Sequence, residues 1–255
     1  MLDMGCGEGQ IIQSLLHYGH ALHGFDLPDK SERLQAGLGP IFGRDYPARI
    51  RTMADERVIP FDAAMFDVVY SNQVFEHVRF LDAMLSECAR VLKPEGWLVA
   101  LFPLATYPIE GHVRVPFAHW IPAGTFRRRY LRASFALGIG RRLPALSASA
   151  CAAEWDDRLR LYTFYRFLNE FDALFDYYFH EWRIDTADYV RAKVDLLESS
   201  SRLRNRLLGR TLGLFQGRWL AACVTHGFNA AFLARRPRHE ATHRGVLAWR
   251  SHGDV

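Results

Sequence analysis

The chain has 255 residues, 49% of them hydrophobic and 24% charged, and a formal net charge of +4. That suffices for one large α/β core with an elaborated C-terminal part. No uninterrupted apolar run reaches the ~18 residues of a membrane span, since the closest, 211–234, is broken by Arg218 and His226.

No secretory signal precedes the first motif, and the four cysteines (Cys6, Cys88, Cys151, Cys223) show neither C-x-x-C nor metal-ligand spacing. The expectation is a cytoplasmic chain with reduced thiols and no metal. The charge is unevenly spread: residues 1–104 hold 9 Lys and Arg against 14 Asp and Glu, and residues 105–255 hold 23 against 14. Arg127-Arg128-Arg129, Arg141-Arg142 and the Arg202/Arg204/Arg206/Arg210 run suit phosphate groups or an anionic membrane surface, or else form solvated helix faces.

In chain order, Met1-Leu2-Asp3-Met4 reads as a strand entering a turn with glycines at positions 5, 7 and 9. Ile11, Ile12, Leu15 and Leu16 then fall on one helical face, and Gly19 ends it. Strand, glycine turn and helix together make a cofactor cradle. The spacing is G-x-G-x-G rather than the dinucleotide G-x-G-x-x-G, and Asp3 suits a cationic ligand while repelling a pyrophosphate. Residues 21–26 predict a second strand ending in Asp26, near the offset at which a carboxylate grips ribose hydroxyls; a plain turn before Pro28 is the alternative. A third strand is expected over 48–53, with Ala54-Asp55-Glu56 after it.

Phe66 to Asn72 is an apolar run suited to a strand buried on both faces, turning polar at its end. A helix with Phe80, Leu81, Met84, Leu85, Cys88, Val91 and Leu92 on one face follows. Lys93-Pro94-Glu95-Gly96 stops it, and Trp97–Phe102 is a fifth strand. Beyond Pro103 the spacing predicts an aromatic-rich loop over 110–120, an arginine-rich helix over 126–137, an aromatic helix over 154–175 and a helix over 188–208. Short strands are expected at 178–184 and 229–235, and a polar tail at 237–255, whose His239, His243 and His252 read as solvated rather than metal-binding.

Asp3 with Gly5, Gly7 and Gly9, then Asp26, Asp55, F-D-V-V-Y-S-N-Q-V-F-E-H-V and R-V-L-K-P-E-G-W-L-V, resemble the class I S-adenosylmethionine-dependent methyltransferases of the Methyltransferase-11 type. The resemblance spans 1–103. It implies a Rossmann-like, doubly wound α/β fold: a mostly parallel seven-stranded sheet with an antiparallel edge hairpin and an inserted helical lid. The implied organisation is a cofactor core over 1–104, a lid and acceptor region plus the last strands over 105–236, and a flexible tail. The implied cofactor is S-adenosylmethionine, held by Asp3, Gly5, Cys6, Gly7, Gly9, Asp26 and Leu27, by Ala54, Asp55 and Glu56 around the adenine, and by Ser71, Asn72 and His77. Relatives carry more chain before the glycine loop, so an N-terminally shortened chain is expected.

The reaction implied is methyl transfer to an oxygen of a small-molecule, sugar or lipid-linked acceptor, one allowed to be anionic. Alternatives are an impaired binding protein of the same fold or a nucleic-acid methyltransferase. The latter is disfavoured because Ser71-Asn72-Gln73-Val74 stands where amino-methylating enzymes carry Asn/Asp-Pro-Pro-Tyr/Phe, and no RNA module accompanies the basic charge. An alcohol acceptor benefits from a general base, and His112 and His119, after the fifth strand, are the candidates. Peripheral membrane contact is compatible with the basic second half.

Overall fold

Residues 1–199 and 230–239 are described by the computed structural model. Alternating strands and helices build one seven-stranded sheet. Its strands are β1 (Leu2–Met4), β2 (His23–Asp26), β3 (Ile50–Thr52), β4 (Phe66–Asn72), β5 (Leu92–Phe102), β6 (Phe179–Ile184) and β7 (Ala230–Pro237). The spatial order is β3-β2-β1-β4-β5-β7-β6. Strands β1 to β5 are parallel, while β7 runs antiparallel between β5 and β6. The architecture is Rossmann-like. The pair expected at the edge is antiparallel as the sequence implied, with β7 inside the sheet and only β6 on its margin.

Short β1 is innermost and fully buried, pairing with β2 and β4 through Leu2, Asp3 and Met4. The chain order reverses between β1 and β4, so a crevice opens outside their C-terminal ends, where open α/β sheets take ligands. On α4 (Leu81–Val91), Leu81, Met84, Leu85 and Cys88 are buried at helical spacing against the main core. The helices preceding it are α1 (Gln10–Leu15), α2 (Ser31–Phe42) and α3 (Tyr46–Arg49). Ile12, Leu34, Leu38 and Ile50 pack α1 and α2 in a separate cluster toward the β2–β3 end. Lys93–Gly96, read as a break between helix and strand, lies within β5 as a register shift: Phe66 pairs with Leu92 and Val68 with Trp97.

After β5 come α5 (Thr125–Ala136), α6 (Ala148–Tyr162), α7 (Leu168–Tyr178) and α8 (Thr186–Glu198). The single aromatic helix expected over 154–175 is two helices. Residues 163–167 are not helical, because their backbone is tied elsewhere: Phe164 N–H donates to Glu76 O (2.6 Å), and Ala105 N–H to Arg166 O (2.8 Å). Helical spacing of aromatics on both sides concealed this break, which tertiary contacts impose. The two halves serve different layers. Helices α5 and α6 share a small core around Val113, Val115, Leu131, Phe135 and Trp155, while Phe171, Phe175 and Tyr178 of α7 join the main core beneath the sheet.

The arginine triplet divides likewise. Arg127 is buried and pairs with buried Asp156 (Nε to Oδ1, 2.6 Å); Arg128 Nε reaches the same carboxylate at 2.7 Å; Arg129 is exposed. Two of the three residues read as candidate anion binders therefore join α5 to α6 instead. Cys6, Cys88 and Cys151 are buried and free. Cys223, the 202–210 arginines, the end of the 188–208 helix, His243, His252 and most of the tail lie outside the described residues. Among the described residues no helix is long and apolar enough to cross a membrane.

Candidate active site

The loop after β1 bends back on β2: the N–H groups of Gly5 and Cys6 both donate to Phe25 O, at 2.9 and 3.1 Å. Gly5 has φ 68°, and a Cβ there would fall 2.5 Å from Val74. Gly7 has φ 54° with nothing within 4 Å of its Cβ position, so the backbone faces open space. Glycine is required at the first by crowding as well as torsion, and at the second it leaves the peptide bare for close approach. The Cys6 side chain joins the buried Ile12–Leu38 cluster, and burial pushes its thiol pKa up; only its backbone lines the loop.

Asp26 ends β2. Its Oδ2 accepts from Gly7 N–H and its Oδ1 from Leu27 N–H, both at 2.7 Å. Each oxygen retains a lone pair, enough for a diol. Asp3 is 2% exposed, and its Oδ2 has no hydrogen-bond partner. Burial, and then the neighbouring Asp26 charge, raise the Asp3 pKa from 3.8 to about 7. Ser71, at the end of β4 beside Met4, is fully buried with its Oγ unpartnered. Leu27 is 40% exposed, and Asn72 is exposed. After β3, Ala54, Asp55 and Glu56 are all exposed; Asp55 Oδ1 accepts from Arg57 N–H at 2.9 Å, closing a turn. The rim therefore has a bare glycine backbone, a paired carboxylate and two buried polar atoms without partners. This set fits a ligand with a cationic end and a vicinal diol.

The loop after β4 holds Glu76 and His77 in a short turn over Phe75–His77. The segment between α6 and α7 closes on it: His77 Nδ1 lies 2.5 Å from Tyr162 O, and Arg166 donates to Val78 O (2.7 Å) and Arg79 O (3.0 Å). From the other side comes the loop after β5, anchored by buried Val113 and Val115. Glu110, with no exposure, accepts from the backbone N–H of His112 (2.8 Å) and Val113 (2.5 Å) and from Tyr165 Oη (2.7 Å), while His112 Nδ1 lies 2.7 Å from its Oε1. His112 Nε2 sits 3.2 Å from His77 Nε2. His77 and His112, far apart in sequence, are thus brought together.

Burial would raise the Glu110 pKa, but its bonds from His112, Val113 and Tyr165 hold it below the usual value, and Glu110 in turn raises His112. Burial lowers His77 and His119 and pushes Glu76 up to about 7. His119 has Nε2 3.2 Å from Ala105 O, and its ring lies tilted against that of Tyr165 with centroids 4.6 Å apart; its Nδ1 is buried without a hydrogen-bond partner among the described residues. Tyr165 therefore touches the surroundings of both candidate bases.

Glu76, Glu110 and Tyr165 were not singled out from sequence. The one signal for Glu110 is its E-G-H spacing to His112, placed after β5 in a chain that also carries His77 after β4.

The sequence profile of the family described as Methyltransferase domain matches residues 2–100. Over 128 residues the chain is 29% identical to the ubiquinone biosynthesis O-methyltransferase of Caulobacter vibrioides, covering 49% of this chain and 50% of that protein. Over 136 residues it is 34% identical to that of a Bradyrhizobium species, covering 49% of each. The chain spans about half the length of these relatives. Among solved structures, Haemonchus contortus phosphoethanolamine N-methyltransferase 2 in complex with S-adenosyl-L-methionine has 18% identity and a TM-score of 0.47, over 93% of this chain and 48% of that one.

Proposed function

From the premise that residues 2–100 form a methyltransferase domain of the class I S-adenosylmethionine-dependent family, we propose that this chain methylates an oxygen of a small-molecule acceptor, one carried on a lipid included. The observation that carries the reading is the rim itself: buried Asp3 with an unpartnered oxygen, beside the bare Gly7 backbone and Asp26. In this reading Asp26 holds the ribose diol and Asp3 faces the cationic amino-acid end. Ser71, Asn72, Leu27 and the 54–56 turn border the rest of the cofactor.

When bound, the cofactor supplies an activated methyl group, so the chain has to position the acceptor and take its proton. The geometry beside the rim supports this division. His112 has its Nδ1 on Glu110 and its Nε2 facing His77, whereas His119 keeps a free Nδ1 and a pKa held low by burial. His112 and His119 are the two candidate proton acceptors beside the rim.

The names of the curated relatives, ubiquinone biosynthesis O-methyltransferases, support oxygen as the acceptor atom. The exposed face of α5 supports contact with an anionic lipid surface: Phe126 is 79% and Leu137, just beyond the helix, 77% exposed, with Arg129 and Arg132 also exposed. The buried free thiols of Cys6, Cys88 and Cys151 support a reducing, cytoplasmic setting. We read residues 1–104 as the cofactor core and the α5–α6 unit as the lid over the acceptor.

The test is incubation with methyl-labelled S-adenosylmethionine and a panel of catechols and short-chain quinols. Label in an alkali-stable aryl ether supports the reading. Tight cofactor binding without label transfer, or label on nitrogen of an amine panel, overturns it.

A further inference from the structure

We propose that Glu76, His77 and His112 form a divalent transition-metal site whose open side faces the acceptor. Three ligand atoms, one carboxylate oxygen and one ring nitrogen from each histidine, all lie within 4.8 Å of one another. They come from two loops distant in sequence, so no ligand spacing announces them.

The tautomers are fixed from outside the cluster. His77 Nδ1 lies against the Tyr162 carbonyl, which only accepts, so this nitrogen carries the hydrogen. His112 Nδ1 lies against the Glu110 carboxylate and carries its hydrogen in the same way. Each neutral ring then offers a lone pair at Nε2, and the two Nε2 atoms face each other at 3.2 Å. Two lone pairs cannot meet at that distance without a cation between or beside them.

A shared proton would satisfy the pair and leave buried Glu76 Oε2 without a partner, as it stands among the described residues. A metal ion satisfies all three groups. The spacing also suits one: with metal–nitrogen bonds of about 2.0–2.1 Å, two imidazole nitrogens on a tetrahedral ion lie roughly 3.3 Å apart. Each histidine is held through its remaining nitrogen by a carbonyl or a carboxylate, the usual support for metal-bound imidazole. Tyr165 in turn holds Glu110.

Two imidazoles and one carboxylate suit first-row ions such as Zn2+ or Fe2+ and leave positions open. Glu76 is buried, His112 half-buried and His77 exposed, so the open positions face outward, between the loops after β4 and β5. Only the assigned role, binding and polarising an acceptor hydroxyl, rests on the methyl-transfer reading.

The experiment strips the full chain with chelator, adds Zn2+, and measures tightly held metal after desalting. Calorimetry and the visible spectrum of the Co2+ form report affinity and nitrogen ligation. One Zn2+ per chain is expected. His77→Ala, His112→Ala and Glu76→Gln should each abolish retention, and Glu110→Gln, which acts through His112, should weaken affinity about 10–100-fold. The wild-type chain decides the matter even if a variant fails to fold: no stoichiometric uptake, or uptake undiminished in all three ligand variants, overturns the proposal. S-adenosylhomocysteine binding measured on the same samples separates the two readings. Metal uptake without nucleoside binding keeps the metal site and removes the methyltransferase reading; the converse does the opposite.

Discussion

Asp26→Ala is expected to weaken S-adenosylhomocysteine binding by on the order of 100-fold or more while leaving the fold intact. The wild-type carboxylate fixes the loop on which the ligand would lie, taking Gly7 N–H and Leu27 N–H at 2.7 Å each. Hydrogen bonds to an ionised acceptor contribute about 1.5–3 kcal/mol apiece, and two further bonds to a ribose diol would go with it. The residue stands at the end of β2, outside the buried clusters that pack the sheet, so its loss acts on the loop and not on the core. Titration calorimetry of both proteins checks this. Equal affinities would remove Asp26 from the site.

Asp3→Asn should move stability and binding in opposite directions. In the fold Asp3 titrates at about 7 instead of 3.8, because it is buried and lies near Asp26. Between those values the folded chain keeps a proton that the unfolded chain has released. This group's contribution to stability is therefore fully present below about pH 4 and is lost as pH rises through about 7. Asparagine removes the titration. Above pH 7 the variant should be the more stable protein, by a few kcal/mol at most, and its advantage should shrink toward pH 4.

A cationic ligand facing Asp3 favours its ionised form, so wild-type affinity should rise as pH rises through 7, with release of a proton. The asparagine variant should lose on the order of 10–100-fold in affinity at pH 8 and lose that pH dependence. Thermal melts and titrations at pH 5 and pH 8 read both halves. A variant that melts lower at pH 8 and binds equally well would contradict the account on both counts. The buried carboxylate is thus a local cost to stability that a bound cation would offset.

The glycine turn and the strands around it were legible because their constraints are local. Gly5 and Gly7 hold positive φ angles in the folded loop, Asp26 ends β2, and Ser71 lies one residue before the end of β4, whose apolar run marks it. Strands β6 and β7 fall on the short strands expected at 178–184 and 229–235. The cluster of Glu76, His77, Glu110, His112 and Tyr165 was not legible, because its groups become neighbours only when the insertion folds back. Glu110 reads as one carboxylate in an aperiodic loop until Val113 and Val115 bury beneath α5 and α6 and carry His112 to His77. The break at residues 163–167 has the same origin: Phe164 leaves helical geometry to reach the backbone of Glu76. Arg127 shows the opposite error, in which a basic cluster suggested an external anion while its partner, Asp156, lay one helix away.

The central claim is that a sulfonium nucleoside lies across the C-terminal rim of β1, β2 and β4. Diffraction from crystals grown with S-adenosylhomocysteine tests it most directly. The account predicts density with the ribose on Asp26 and the amino-acid end between Asp3 and Gly7. An empty rim at saturating ligand, or a nicotinamide dinucleotide bound there in preference, would contradict it.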